Sequence, residues 1–97
     1  MNTANIESKL SVTQLHKLAS DSGRIANEKW RKAIKNSNDP MAILYRKLIS
    51  RFTPDMALEW HRDNPELASE MRDFINLEYA RVYSGVRNEL MLKYWGI

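Results

Sequence analysis

The sequence predicts an all-α protein of four or five helices, and three observations predict it. Strict polar/apolar alternation is hard to find, and turn signals that would bracket short strands are missing. Apolar residues instead recur mostly at three- and four-residue steps. Finally, three junctions, Asp39-Pro40, Thr53-Pro54 and Asn64-Pro65, each set a good N-cap residue before a proline. The cap side chain accepts hydrogen bonds from orphan backbone N–H groups, and proline suits the first helical position, where its missing N–H costs nothing.

The first helical region holds Leu15, Leu18, Ala19, Ser22, Ile25, Ala26, Trp30, Ala33 and Ile34 on an apolar face, with “KNSND” closing it. Gly23 either divides residues 9–36 into two helices or is tolerated in one. Helices then start near residues 40, 54 and 65, and Asp55 and Glu66 place charge suited to a helix N-terminus in two first turns. In the short helix from Pro54, Met56, Ala57 and Trp60 form the apolar side. The next start uses Asn64 as its expected cap, with a trans bond to Pro65. Residues 65–95 read as a long terminal helix with the broad stripe Ala68, Met71, Ile75, Glu78/Tyr79, Val82, Val86 and Leu90. Gly85 is a place for a bend or a close backbone approach. Residues 1–8 are expected to be loose, and 9–97 to form a single helical domain. Long helices joined by very short caps allow an elongated shape. The stripe is not a heptad, which argues against a simple zipper.

A chain of 97 residues bounds the object to one domain or an elongated helical unit. It lacks cysteine, which removes disulfides, thiol nucleophiles and cysteine metal sites. No apolar run reaches the about 18 residues of a membrane span. The opening “MNTANIESKL” lacks an apolar signal-peptide core, so a cytoplasmic location is the expectation. The net charge of +3 is unevenly placed: residues 1–51 carry ten Lys or Arg against four Asp or Glu, residues 52–97 five against eight. The basic half suits nucleic acid or an acidic protein face, or simply attracts the acidic half.

The stretch “EWHRDNPE”, residues 59–66, concentrates a histidine among carboxylates. Glu59, His61 and Asp63 have metal-ligand atoms, but residues two apart do not share a helix face, and His16, on the edge of the first helix's apolar face, is far away. Glu66, Glu70 and Asp73 share a face, as solvated helices commonly arrange them. No nucleophile elbow, Walker loop or cysteine is present. No enzymatic activity, metal or cofactor is expected. The stretch reads as a corner between helices, with Trp60, His61 and Arg62 available to a partner.

“EKWRKAIK” places Lys29, Arg31, Lys32 and Lys35 around Trp30, next to Arg24, with Glu28 positioned to pair with Arg24 and Lys32. “YRKLISR” adds Arg46, Lys47 and Arg51. These residues could meet phosphates or an acidic partner. A helix-turn-helix reading fails on charge, because the helices from Pro54 and Pro65 would bring Asp55, Glu59, Glu66, Glu70 and Asp73 to DNA. A DNA- or RNA-binding module built on residues 24–51 remains an alternative, as does a homo-oligomeric assembly protein.

Protein binding is the leading expectation. Three Trp, four Tyr, two Phe and five Met are many for this length, and such residues are enriched where proteins meet. “FINLEYARVY” spreads apolar groups over more than one face, and “MLKYWGI” ends the chain with an aromatic tail. The candidates are Trp60, His61, Arg62, Tyr83, Tyr94, Trp95 and Ile97.

A short, cysteine-free, helical chain without enzyme motifs that joins “KWRKAIK” to “LMLKYWGI” resembles the small accessory proteins encoded by bacteriophages. Within that group it resembles those that bind and modify the host RecBCD recombination nuclease. The resemblance lies in overall size and character and carries over no individual residue. It implies a large DNA-repair enzyme as partner, altered in how it treats DNA ends or its recombination signal.

Overall fold

The computed structural model describes residues 10–97, and the expectation for residues 1–8 lies outside that range. Among the described residues the protein is all-α. Its helices are α1 (Val12–Asn36), α2 (Pro40–Arg51), α3 (Pro54–Asp63) and α4 (Pro65–Trp95).

Local chemistry accounts for most of the boundaries. Ser11 and Gln14 form a reciprocal capping box: Gln14 N–H donates to Ser11 Oγ at 3.1 Å and Ser11 N–H to Gln14 Oε1 at 2.8 Å. Asp39 Oδ1 accepts from Met41 N–H at 2.9 Å, and Thr53 Oγ1 from Met56 N–H at 3.3 Å. Asn64 behaves differently from its expected role. Its side chain makes no N-cap bond to α4 and instead donates through Nδ2 to the Trp60 carbonyl at 3.0 Å. With φ −132° and ψ 60°, Asn64 lies outside the extended conformation of the Ser11, Asp39 and Thr53 caps, and it serves the C-terminal carbonyls of α3. The peptide bond to Pro65 is trans. Gly96, at φ 70°, stops α4 in the left-handed conformation that glycine adopts without a Cβ penalty.

Gly23 does not divide α1, which is continuous to Asn36. Gly85 admits no close backbone approach either, since a Cβ there would meet nothing within 4 Å.

Helices α1 and α4 lie antiparallel, with Asp21 facing Tyr94 and Lys29 facing Glu89. The first half of α4 carries α2 and α3. The molecule measures 48 × 23 × 23 Å, and the long dimension matches a 31-residue helix at about 1.5 Å per residue. Its radius of gyration of 17.0 Å exceeds the about 13 Å of a compact 100-residue domain.

The core is correspondingly thin. Leu18 and Ala26 of α1 pack with Val86, Leu90 and Met91 of α4, flanked by Tyr79, Val82 and Tyr83. Ile34, Ala42, Leu48, Ala68 and Met71 are also buried. Three of these buried residues are alanines, which let helix backbones approach closely. The predicted α4 stripe is the buried face: Ala68, Met71, Val86 and Leu90 are buried and Ile75, Tyr79 and Val82 half-buried. On α1 the stripe loses two of its first three members, for Leu15 and Ala19 are exposed while Leu18 is buried. Leu15 precedes Asp21 by almost two turns, and Tyr94, opposite Asp21, already lies at the end of α4.

Candidate protein-docking surface

The corner at residues 59–66 separates the groups that looked like one chemical cluster. His61 Nδ1 lies 2.7 Å from the Ala57 carbonyl; a carbonyl only accepts, so Nδ1 carries the proton and donates. The ring lines a groove between α2, α3 and α4, whereas Asp63, Glu66 and Glu70 line a separate open concavity. Among the described residues no group of three His, Asp or Glu side chains is placed to hold a metal ion. Trp60 is half-buried and meets the His61 ring edge-on at 5.3 Å. Arg62 is exposed.

The aromatic candidates on α4 are largely committed to internal packing. Tyr83 stacks on Tyr79 at 6.1 Å; Tyr79 meets Trp30 edge-on at 6.0 Å, and Trp30 meets Tyr45 edge-on at 6.0 Å. This chain ties α4, α1 and α2 together. Tyr94 Oη donates to Asp21 Oδ2 at 2.7 Å, with Lys17 Nζ 5.0 Å from the Tyr94 ring centre and Trp95 edge-on at 5.5 Å. That hydrogen bond raises the Tyr94 pKa above the usual tyrosine value; burial and the negative charge of Asp21 add to the rise, and Arg24 opposes it. Ile97 is exposed beyond the helix end.

The basic candidates divide into two sets. Arg24 turns to Asp21 at 3.9 Å rather than to Glu28, and Lys29 reaches Glu89 at 3.6 Å, one place where the basic and acidic halves attract each other. Arg46 is half-buried, and its Nη1 donates to the carbonyls of Ile34 at 2.6 Å and Ser37 at 2.7 Å. It therefore closes the C-terminus of α1, where a cation also complements the helix dipole. Arg31, Lys32, Lys35, Lys47 and Arg51 are exposed and form no ion pair among the described residues.

Among the described residues several large apolar groups are exposed: Leu77 and Leu92 lie in the two stretches that the sequence marks for protein binding, whereas Leu58 and Ile49 do not. Leu58 and Leu77 are 71% exposed, Leu92 66% and Ile49 64%. Ile49 stands between two grooves. One, of about 490 Å³, has Leu48, Phe52, Ala57 and Ile75 among its walls, with His61 and Arg72. The other, of about 660 Å³ between α1 and α2, has Trp30 and Ile34 on its apolar side and Arg31, Lys35 and Arg46 as its cations. Tyr45 and Ile49 line both, and no carboxylate among the described residues lines either. The signal for this surface was present but split: Ile49 lies in one helix and the “KWRKAIK” cations in another, and only tertiary packing joins them.

No helix among the described residues is long and apolar enough to cross a membrane. Comparison with protein-family models, curated proteins and solved structures finds no match to this chain.

Proposed function

We propose that this chain is a small regulatory protein that works by binding a larger protein, without a reaction of its own. The observation that carries the reading is the exposure of large aliphatic side chains, Leu58, Leu77, Leu92 and Ile49, on a thin elongated bundle. Scattered exposed apolar residues are normal. Here, however, they stand on three helices, and among the described residues the buried core is only ten hydrophobic residues. The resemblance to phage accessory proteins directs the reading to a host DNA recombination or repair nuclease, RecBCD in the first instance. Mixing the purified protein with purified RecBCD tests it. Co-elution on gel filtration and a changed rate of DNA-end degradation support the reading; independent elution with unchanged degradation removes this partner.

A second reading has its own observation, the exposed cations Arg31, Lys32, Lys35, Lys47 and Arg51, which make no ion pair among the described residues. A nucleic-acid module would bind DNA or RNA with strong salt dependence and lose affinity when Arg31, Lys32 and Lys35 are neutralised.

A further inference from the structure

We infer that the two grooves meeting at Tyr45 and Ile49 form one docking trough for an acidic segment of the partner protein, anchored by bulky apolar side chains. The inference rests on the protein-binding reading above and names its surface and the chemistry of its occupant.

The argument is one of charge and shape together. Eleven carboxylates lie among the described residues, and none of these lines either groove, while Arg31, Lys35, Arg46 and Arg72 do. Arg46 has turned its guanidinium to the end of α1, which leaves Arg31 and Lys35 as the exposed cations on that rim. Between the grooves, Ile49 presents an apolar ridge that stays 64% exposed although Leu48 beside it is buried. An occupant must therefore offer carboxylates to the α1 rim and apolar groups to both sides of Ile49. Close charge complementarity selects partners and suppresses wrong ones.

Single-stranded nucleic acid fits this trough poorly. Its bases need open aromatic faces for stacking, and Trp30 is edge-packed between Tyr45 and Tyr79. The other rings on the walls, Tyr45, Phe52 and His61, are half-buried, and Leu48, Met71 and Ile75 line the rest as apolar groups.

Photo-crosslinking with the full chain tests the assignment. p-Benzoylphenylalanine is placed at Ile49, and in separate chains at Leu77 and Leu92. Crosslinks formed in host lysate are mapped by mass spectrometry, with and without nuclease digestion. The trough predicts a nuclease-resistant crosslink from Ile49 to a carboxylate-rich stretch of one protein. It also predicts at least tenfold weaker capture by the Arg31→Glu/Lys35→Glu and Ile49→Asp chains at unchanged helicity, with Ser84→Asp, an exposed position outside both grooves, unaffected. Crosslinks from Leu77 or Leu92 but not from Ile49 overturn the trough and leave protein binding standing. A crosslink from Ile49 to a second copy, to a basic stretch or to nucleic acid overturns the acidic occupant. No crosslink from any position overturns the trough and the protein-binding reading together.

Discussion

Tyr94 Oη donates to Asp21 Oδ2 at 2.7 Å across 73 residues of chain, fastening the last turn of α4 to α1. The bond requires a protonated phenol, and it raises the pKa of Tyr94. A folded-state pKa above the unfolded value of about 10 means the folded chain holds this proton more tightly. The stabilisation is complete below that unfolded value and is lost as pH rises through the folded one. Thermal melts between pH 8 and 11.5 should show the native chain losing its advantage over Tyr94→Phe as Tyr94 ionises. A difference between the two chains that stays constant over this range would contradict the assignment.

The thin core makes single positions weigh heavily. Leu18 is 1% exposed in the α1–α4 cluster, so Leu18→Ala should cost about 3 kcal/mol. Leu77, at 71% exposed, should change by no more than about 0.5 kcal/mol when replaced by alanine. Urea unfolding of the two variants checks the contrast.

Ser22 is fully buried and its hydroxyl has no hydrogen-bond partner among the described residues. A buried, unsatisfied hydroxyl carries a desolvation cost that alanine removes without opening a cavity of any size. Ser22→Ala should therefore raise stability, by about 1 kcal/mol, measured as an upward shift in the urea midpoint.

Gly85 sits mid-helix in α4, and a Cβ there would touch nothing within 4 Å. Gly85→Ala should stabilise by about 0.5–1 kcal/mol through helix propensity alone. The same urea titration reads it, and a loss of stability would mean that a hidden close approach exists.

Arg46 belongs to the fold more than to the basic surface. Arg46→Ala removes both bonds from Nη1 to the end of α1 and should cost about 2 kcal/mol. Arg46→Lys should restore only part of it, because a lysine's flexible stem loses more conformational freedom in holding the two carbonyls than the planar, pre-organised guanidinium does. Comparing the Tm of the two variants checks this.

The helix starts were legible because Asp39-Pro40 and Thr53-Pro54 encode them within a few residues, by a cap acceptor and a proline without an N–H. Asn64 has the same chemistry but took another partner, the Trp60 carbonyl, because the backbone at the corner aims its side chain backwards. The continuity of α1 through Gly23 was not decidable locally. A glycine costs a helix about 1 kcal/mol, and here burial of Leu18 and Ala26 on either side against α4 outweighs it. The site was legible only in pieces. The cations of “KWRKAIK” could be read, as could the aromatic tail, but the α1–α4 pairing spends Tyr83 and Tyr94 internally. Ile49 becomes conspicuous only when α2 packs so that two grooves flank it.

Affinity capture from host lysate with the full chain as bait, followed by mass spectrometry with and without nuclease digestion, tests the central claim most directly. The account predicts one large partner retained in stoichiometric amount after nuclease treatment. Capture of no protein, together with tight salt-sensitive binding of purified DNA or RNA, or recovery only of further copies of this chain, would contradict it.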